Sequence, residues 1–444
     1  MRRYFVTSAQ MKAGVHGDFY KGIESYCKDN DAELIILPMR GRTHDEEGFH
    51  TRIDSDSLEY GVRWLSRKLH IAQFKVLPQQ IDPVTGLARF THYDKSTIFA
   101  SPKQRMKVIP NEGQHPKLLM TTGACTRPRY REDQRIGRIA KKDHIYGGIV
   151  VEVDEDQTFH LRNVQATNRG AFVDLGQMYL RKHHGPASLD ALVFGDWHVG
   201  DTDEQVEKAN YEMIDNLNPR RIILHDFFNG HSVNHHEWGQ SITEAYQHKE
   251  GRHLLEEELE ICAGELNNVA ERMDGREVIL VASNHDDFIM KYLQRGKFVN
   301  DPHNAHIGAK LYLAALEGHS PLEFGLRHVR DLPRNIRFLG RDEEFKVRGW
   351  QLGAHGDKGP NGSRRGTMRS HEFAYGKSIT GHRHSPEILR NTFVVGTSTK
   401  LRLNYTVGPS SWMHTHGLLY DTGKVQMVNV IDGRWRGADE QNIE

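Results

Sequence analysis

Cysteine is scarce in this sequence. Its 444 residues include three cysteines, Cys27, Cys125 and Cys262, which lie far apart and form no CxxC pair. An odd number of widely spaced cysteines argues against a disulfide framework and against a thiolate metal site. Because free thiols are typical of a reducing compartment, the sequence predicts a cytoplasmic location.

Long apolar runs and an excess of either charge are also missing. The N-terminus, "MRRYFVTSAQMKAG", has no apolar segment of the kind found in secretion signals, and no run elsewhere is long enough to cross a bilayer. We therefore expect a protein that is neither secreted nor membrane-spanning. Since 59 Lys and Arg residues balance 59 Asp and Glu residues, any polyanion site must be a local patch. No phosphate-binding glycine motif and no internal repeat is visible.

Length and composition predict a globular chain of two domains. Charged residues make up 27% and hydrophobic residues 37% of the chain, as in globular proteins, and 444 residues exceed what one core usually serves. The polar stretch "RKHHGPASLD" marks the boundary, which we place between residues 185 and 186. Residues 1–185 are expected to form a separate α/β domain of unknown role, since "RRYFVTS", "FYKGIESYCKDND" and "AELIILP" have the patterns of strand, helix and strand.

Strand and helix patterns alternate again in residues 186–444. Five segments predict strands: "ALVFG", "RRIILHD", "REVILVASNHDD", "KVRGWQLGAHGDKG" and "KSITGHRHS". Thr202 and Gln205 have the spacing of a capping box for the helix that follows the first of them. The alternation predicts an α/β fold for this region as well.

Each of these five strands ends in side chains that bind metals. The side chains are, in chain order, Asp196 and His198, then Asp226, then Asn284, His285 and Asp286, then His355, and finally His382 and His384. The carboxyl edge of an α/β sheet is where ligands gather. Carboxylate, amide and imidazole groups can hold a pair of first-row cations, and such a pair clamps a phosphoryl group and activates water. The sequence therefore predicts a metal centre at this edge.

The blocks "GDWH", "HDFFN", "SNHD", "HGD" and "GHRH" resemble, in this order, those of the calcineurin-like metallophosphoesterase superfamily, and most of all its DNA-repair exonuclease branch. The resemblance covers roughly residues 189–430 and implies a metallophosphoesterase β-sandwich flanked by helices. It implies a first metal ion on Asp196, His198 and His384, a second on Asn284, His355 and His382, and Asp226 as the bridge between them. It further implies that His285 is the catalytic acid and that Asp286 orients it.

Three positions depart from the family pattern. His225 and Ser283 stand where the family has glycine before the ligands Asp226 and Asn284, and Asn229 stands where the pattern often has Asp. A bulkier residue at such a point changes the freedom of the backbone but not the identity of the ligand. The ligand set is complete, which favours an active enzyme.

Several of the 28 histidines fall outside the blocks. His231, His235 and His236 lie in a loop, where they are either loop residues or substrate contacts. His414 and His416 alternate along a strand and are interpreted as structural.

Basic residues after His355 suggest the substrate. Arg364 and Arg365 lie in "HGDKGPNGSRRGTMRS", and arginine side chains match phosphate oxygens. We expect them to bind substrate, although a solvated loop would have the same composition. Together with the large N-terminal region they favour a metal-dependent phosphodiesterase that is a DNA nuclease, in which metal-bound hydroxide attacks phosphorus. Two divalent ions are the expected cofactors, Mn²⁺ first, with Zn²⁺, Fe²⁺ or Mg²⁺ as alternatives.

Two other functions stay open at this point. One is a phosphatase or pyrophosphatase that acts on a small nucleotide or a lipid-sugar phosphoester. The other is a non-catalytic scaffold, against which the complete ligand set argues.

Overall fold

The structure, a computed structural model, describes residues 1–41, 47–91, 94–113, 115–341, 343–364, 366–403 and 406–437. The strands of these residues are β1 (Arg2–Gln10), β2 (Ala32–Met39), β3 (Arg63–Ser66), β4 (Leu69–Ile71), β5 (Ser96–Phe99), β6 (Arg105–Ile109), β7 (Lys117–Thr121), β8 (Gly147–Val153), β9 (Phe159–Gln165), β10 (Phe172–Asp174), β11 (Gln177–Leu180), β12 (His183–Pro186), β13 (Leu189–Val193), β14 (Arg221–Leu224), β15 (Glu277–Val281), β16 (Ile336–Leu339), β17 (Lys346–Val347), β18 (Trp350–Gln351), β19 (Ser378–Thr380), β20 (Glu387–Leu389), β21 (Thr392–Val394), β22 (Thr415–Tyr420) and β23 (Val425–Asn429). The helices are α1 (Gly17–Asp29), α2 (Arg135–Lys142), α3 (Glu204–Leu217), α4 (Ser241–Lys249), α5 (Leu255–Arg272), α6 (Asp286–Gln294), α7 (Ala305–Leu316), α8 (Pro321–Val329) and α9 (Met368–Tyr375). This mixture confirms the predicted α/β class.

Most of the strands belong to two large mixed sheets. Among the described residues, the first sheet has the order β16-β15-β14-β13-β22-β23-β9-β8-β1-β2 and the second the order β17-β18-β19-β21-β20-β6-β7-β5-β4-β3. Strands β10, β11 and β12 form a small third sheet. Strands such as β8 (GGIVVEV) and β13 (LDALV) are buried at every residue. They are apolar nearly throughout because both faces of the sheet are covered.

The two large sheets share one core. Val6 and Val193 of the first sheet lie in the same buried cluster as Ile98 and Ile379 of the second. The successive side chains of a strand point to opposite faces, so the neighbouring Leu192 packs on the other side of the first sheet, against the helices.

The helices cover the outer face of the first sheet. Helices α3, α5, α6, α7 and α8 contribute to one apolar cluster with Leu192 and Ile222, whereas α1 packs through Ile23 against Phe5 of β1. None of the helices in the described part of the chain combines the length and apolarity needed to span a bilayer.

The same order of strands occurs twice in the chain. In the second sheet, β3-β4-β5-β7-β6 is repeated as β17-β18-β19-β21-β20, and in the first sheet β2-β1-β8-β9 is repeated as β14-β13-β22-β23. Corresponding neighbours run in the same relative direction; for example, β1 and β13 each have a parallel neighbour in β2 and β14 and an antiparallel one in β8 and β22. The C-terminal region adds two further strands, β15 and β16, to the first sheet. The chain thus contains two regions of equivalent topology, which the sequence did not reveal as a repeat.

Equivalent strands meet where the two regions join. Strand β6 pairs with β20 and strand β9 with β23, both antiparallel, as in two copies related by a two-fold axis. Met106 of β6 lies opposite Ile388 of β20. These two residues occupy corresponding positions in the corresponding strands of the two regions. Both large sheets therefore run across the two regions. The boundary between residues 185 and 186 stays a prediction, but the regions on either side of it share their sheets and their core.

Candidate metal centre

The predicted ligands lie where strands of both large sheets end. Strands β13, β14 and β15 are parallel neighbours in the first sheet, and β18 and β19 are parallel neighbours in the second. The segments that follow them carry, in the same order, Asp196 with His198, Asp226, Asn284 with His285, His355, and His382 with His384. The carboxyl ends of two sheets thus deliver polar side chains to one place, as the sequence predicts.

Four of these residues form a first group that could hold a metal ion. One ligand atom each from Asp196, His198, Asp226 and His384 lies within 4.8 Å of the others, and all four residues are buried. The Nε2 atom of His384 is 3.1 Å from Asp196 Oδ2 and 3.2 Å from His198 Nε2. Ligand atoms around a first-row cation are themselves separated by roughly 3 Å, since each lies about 2 Å from the ion. The spacing suits such an ion.

A second group shares Asp226 with the first. Asp226, His355 and His382 also meet within 4.8 Å. The Nε2 atom of His355 lies 3.0 Å from Asp226 Oδ2 and 3.1 Å from Asn284 Oδ1. The carboxylate of Asp226 therefore lies between the two groups, in the position that the resemblance assigns to a bridging ligand.

Four of the predicted ligands have a left-handed backbone. The φ angles are 48° at His198, 43° at Asp226, 73° at His382 and 54° at His384. Residues other than glycine rarely adopt this conformation because it costs free energy, and such residues concentrate at functional sites. The fold therefore sustains strain at the positions that aim these side chains at one another.

The donor atoms of the first group fit a cation. The Oδ1 atoms of Asp196 and Asp226 are buried without a hydrogen-bond partner, and the Oδ2 atom of Asp196 meets only the His384 imidazole among the contacts described above. Burying a carboxylate without a partner costs several kcal/mol of free energy. Buried carboxylates therefore usually pair with another group or bind a metal ion. All donors are nitrogen or oxygen, a set that several first-row divalent ions accept.

The pKa values reflect the crowding of charges. Burial would raise the pKa of Asp196, but the hydrogen bond to His384 and the neighbouring imidazoles hold it below its ordinary value. Burial, followed by the nearby His285, lowers the pKa of His198 to about 3. Burial also acts to lower the pKa of His355, but Asp226 outweighs it and raises that pKa to about 9. A proton on His355 thus balances Asp226, and a bound cation would take its place.

His285 lies beside the first group. Its ring makes an edge contact with the His198 ring, with 4.6 Å between the centroids. Its Nδ1 is 2.6 Å from the carbonyl oxygen of Asn229. The predicted orienting role of Asp286 is corrected here, because the Asp286 carboxylate instead accepts from the backbone N–H and hydroxyl of Ser283. It braces the turn before Asn284, and a backbone carbonyl orients His285.

A polar network behind His285 was missed from the sequence. The amide of Asn229 donates to Asp201 Oδ2 at 2.9 Å, and His231 Nε2 lies 2.8 Å from the same oxygen. Arg252 reaches Asp201 Oδ1 at 3.1 Å. Burial lowers the pKa of His231, but Asp201 outweighs it and raises that pKa. These residues come from separate segments, so no local motif signals the network.

Three further histidines have structural surroundings. His416 Nδ1 accepts from the backbone N–H of Gly195 at 2.9 Å, directly before Asp196, and His414 Nε2 lies 2.8 Å from Thr399 O. Both agree with the structural interpretation. His225 is fully buried, with both ring nitrogens unpartnered and its ring 5.6 Å from that of His355. Burial lowers the pKa of His225 to about 4, so the ring is neutral near pH 7.

Basic side chains lie on the His285 side of the centre. Phe288 packs on His285, with 4.7 Å between ring centroids, and on His235, with 5.0 Å. Lys291 Nζ is 3.2 Å from His235 Nε2, and Arg364 is close enough to affect the pKa of both Lys291 and His235. Arg364 is exposed, and the other predicted substrate contact, Arg365, lies outside the described residues. Beyond the effect of burial, Lys358 and Arg295 also lie near enough to Lys291 to lower its pKa, and we call Lys291, Arg295, Lys358 and Arg364 the basic rim.

The equivalent place in the N-terminal region lacks these ligands. Ser398 donates its backbone N–H to Asp196 O, and Cys125 donates in the same way to Ser8 O, both at 2.8 Å. Likewise Met413 donates to His384 O and Ile145 to Pro102 O. Ser8 and Pro102 thus stand where the C-terminal region has Asp196 and His384. Within the described residues, the groups suited to a metal all lie after residue 195.

Comparison with known proteins finds one distant likeness. The chain is similar to "Protein A1" of Escherichia phage T5, with 27% identity over an alignment of 467 residues that covers 98% of this chain and 83% of that protein. No protein-family model matches the chain, and no solved structure matches it. The likeness spans both regions of the chain.

Proposed function

We propose that the chain is a metal-dependent phosphodiesterase that cleaves DNA. The observation that carries this proposal is the pair of ligand groups that share the buried carboxylate of Asp226. Such a pair suits two divalent ions held side by side, the arrangement that many phosphoester hydrolases use. We propose Mn²⁺ as the first choice of ion, because the donors are nitrogen and oxygen only.

The protein's own residues would do the following. Two bound cations would neutralise phosphoryl charge and lower the pKa of water. Asp226 holds the two ligand groups in a fixed relation. His285 uses Nδ1 as a donor to the Asn229 carbonyl, since a carbonyl oxygen can only accept. Its Nε2 is therefore the nitrogen free to act on the substrate, and in the imidazolium form of His285 it would give its proton to the departing oxygen. The edge contact with His198 keeps the imidazole beside the ligands.

The basic rim supports a phosphodiester polymer as the substrate. The chain has no net charge, so attraction for a polyanion depends on local patches. Lys291 and Arg364 lie near His235, which shares Phe288 with His285. Cations beside a hydrolytic centre can hold backbone phosphates on either side of the bond to be cleaved.

A panel of substrates tests the proposal. Purified protein is incubated with plasmid, linear duplex and single-stranded DNA, with mononucleotides and with bis-p-nitrophenyl phosphate, each with Mn²⁺, Mg²⁺ or Zn²⁺. We expect cleavage of DNA that is lost in Asp226→Asn and kept in Asp331→Asn, an exposed carboxylate outside both ligand groups. Activity on mononucleotides alone would favour the small-phosphoester hydrolase, and bound metal without any hydrolysis would favour the scaffold.

A further inference from the structure

Three imidazoles meet at a second place, away from the metal centre. His248, His253 and His303 each present a ring nitrogen within 4.8 Å of the other two. The ring centroids are 3.8 Å apart for His248 and His253, 4.9 Å for His253 and His303, and 5.6 Å for His248 and His303. None of these residues belongs to the motif blocks or to the two ligand groups. We call them the histidine triad.

The triad joins three segments of the helical layer. His248 lies in the last turn of α4, His253 just before α5, and His303 just before α7. All three line a surface cavity of about 480 Å³, whose wall also includes Glu244 and Asp301. An ion bound here would therefore connect the ends of three helices.

A buried asparagine holds two of the segments in place. Asn304 is 2% exposed. Its amide donates to His253 O at 2.8 Å and to Asp301 Oδ2 at 2.9 Å, and its side-chain oxygen accepts from the Leu255 N–H at 2.8 Å. The backbone from His253 to Leu255 is thus fixed to the turn that carries His303. Preorganised ligands lose little conformational entropy when they bind an ion.

One buried ring nitrogen of the triad is left without a hydrogen bond. The Nδ1 atom of His253 is buried without a hydrogen-bond partner. Burial lowers the pKa of His253, and His248 and His303 lower it further because protonated imidazoles repel one another. A neutral imidazole is the form that binds metals, so the close packing favours a cation over protons.

We propose that the histidine triad binds one divalent transition-metal ion, Zn²⁺ before others, as a site separate from the metal centre. Three imidazole nitrogens with an open position suit tetrahedral Zn²⁺, and Glu244, Asp301 or water could complete the shell. Imidazole ligands bind Zn²⁺ more tightly than Mn²⁺ and suit Mg²⁺ poorly. The metal centre combines imidazoles with the carboxylates of Asp196 and Asp226, so the preference for Zn²⁺ over Mn²⁺ should be stronger at the triad.

The ion would position residues next to His285. Arg252, adjacent to His253, contacts His231 Nε2 and Asp201 Oδ1 at 3.1 Å each. Asp201 in turn accepts from Asn229, whose carbonyl contacts His285. An ion on the triad would thus fix the segment that carries Arg252. Binding of the ion is independent of the proposed function, whereas this positioning role rests on it.

Metal analysis of untagged protein tests the site. Apoprotein is dialysed against Zn²⁺ and freed of excess ion, and bound zinc per chain is measured together with the zinc-induced rise in melting temperature. We expect His248→Ala and His303→Ala each to bind one ion fewer than the unaltered protein, whereas His306→Ala, an exposed histidine in α7, binds as many. Circular dichroism checks that the variants remain folded.

A second variant separates this site from the metal centre. We expect the Asp226→Asn variant still to bind zinc at the triad, and the added substitution His303→Ala should remove that zinc. This result is expected whether or not the protein cleaves DNA. Binding of Co²⁺ gives an independent readout, because its visible absorption reports tetrahedral nitrogen ligands. Unchanged zinc content and unchanged cobalt spectra in both triad variants would overturn the proposal.

Discussion

Gly381 shows how closely the metal centre is packed. A Cβ atom at this position would collide with Asp196 Oδ1 and would lie 3.0 Å from the Cβ of His225. Real side chains do not approach this closely, so a neighbour must move. The neighbour is a ligand of the first group, which explains why glycine precedes His382.

We predict that Gly381→Ala loses metal binding. The added methyl displaces the Asp196 carboxylate, and a ligand moved by an ångström no longer completes the group. Isothermal titration with Mn²⁺ measures the effect. Gly185→Ala is the matched control, because its Cβ would meet nothing within 4 Å. Equal Mn²⁺ affinity in both variants would contradict the placement of Asp196 in the group.

The side chains that meet in the two groups could be picked out from the sequence because each follows an apolar strand. Their partners could not. The carbonyl of Asn229 orients His285, and a carbonyl leaves no mark in a sequence because every residue has one. Asp201 and Arg252 meet only through the tertiary fold, so their contact has no local pattern.

At the scale of the element, strands and helices were predicted better than their ends. Helix α3 begins after Asp203, whose side chain accepts from the N–H groups of Gln205 and Val206. The predicted capping box of Thr202 and Gln205 is therefore wrong by one residue. Asp and Thr are both good N-caps, so composition alone did not decide between them.

Buried charges tie three strands together close to the join between the regions. Arg162 of β9 donates to both oxygens of Glu152 in β8 and to Asp174 in β10, and Gln426 of β23 donates to Asp174 as well. Burial would raise the pKa of Glu152, but Arg162 outweighs it and lowers that pKa from 4.5 to about 2. Glu152 therefore stabilises the fold above pH 4.5, and this stabilisation is lost as pH falls toward 2.

We predict that Arg162→Leu destabilises the protein by about 3–5 kcal/mol, since it leaves buried carboxylates without a partner. The contribution of Glu152 to the pH dependence should also reverse, because burial without Arg162 acts to raise its pKa. The loss of stability in the variant should therefore become smaller as the pH falls from 7 to 3. Urea unfolding between pH 3 and 7 measures both effects. Arg330→Leu, which breaks an exposed pair with Glu260, should cost at most about 1 kcal/mol.

At the scale of the whole molecule, the repeated strand order was invisible in the sequence. Topology constrains which segments are apolar and where turns fall, but not which residue stands at each position. Ser8 and Pro102 occupy the places of Asp196 and His384, so these two motif blocks have no counterpart at the equivalent positions of the N-terminal region. The pairing of β6 with β20 spans hundreds of residues, and no local pattern encodes such a contact.

We predict that residues 186–444 do not fold alone. Removal of residues 1–185 would leave β20 and β23 as edge strands, each with one side unpaired, and would expose one side of the shared core. Exposed edge strands and apolar surface promote aggregation. Co-expression of the two segments should recover a soluble complex. Size-exclusion chromatography measures whether the segment alone aggregates and whether the two segments together elute as a soluble complex. A soluble, Mn²⁺-binding segment of residues 186–444 would show that it is an independent domain.

The most direct test of the account is a crystal grown with Mn²⁺ and measured at the manganese absorption edge. We predict anomalous density on both sides of Asp226, with one ion held by Asp196, His198 and His384 and the other by Asn284, His355 and His382. No anomalous density among these side chains at saturating Mn²⁺, or Asp226 turned away from both groups, would contradict the account.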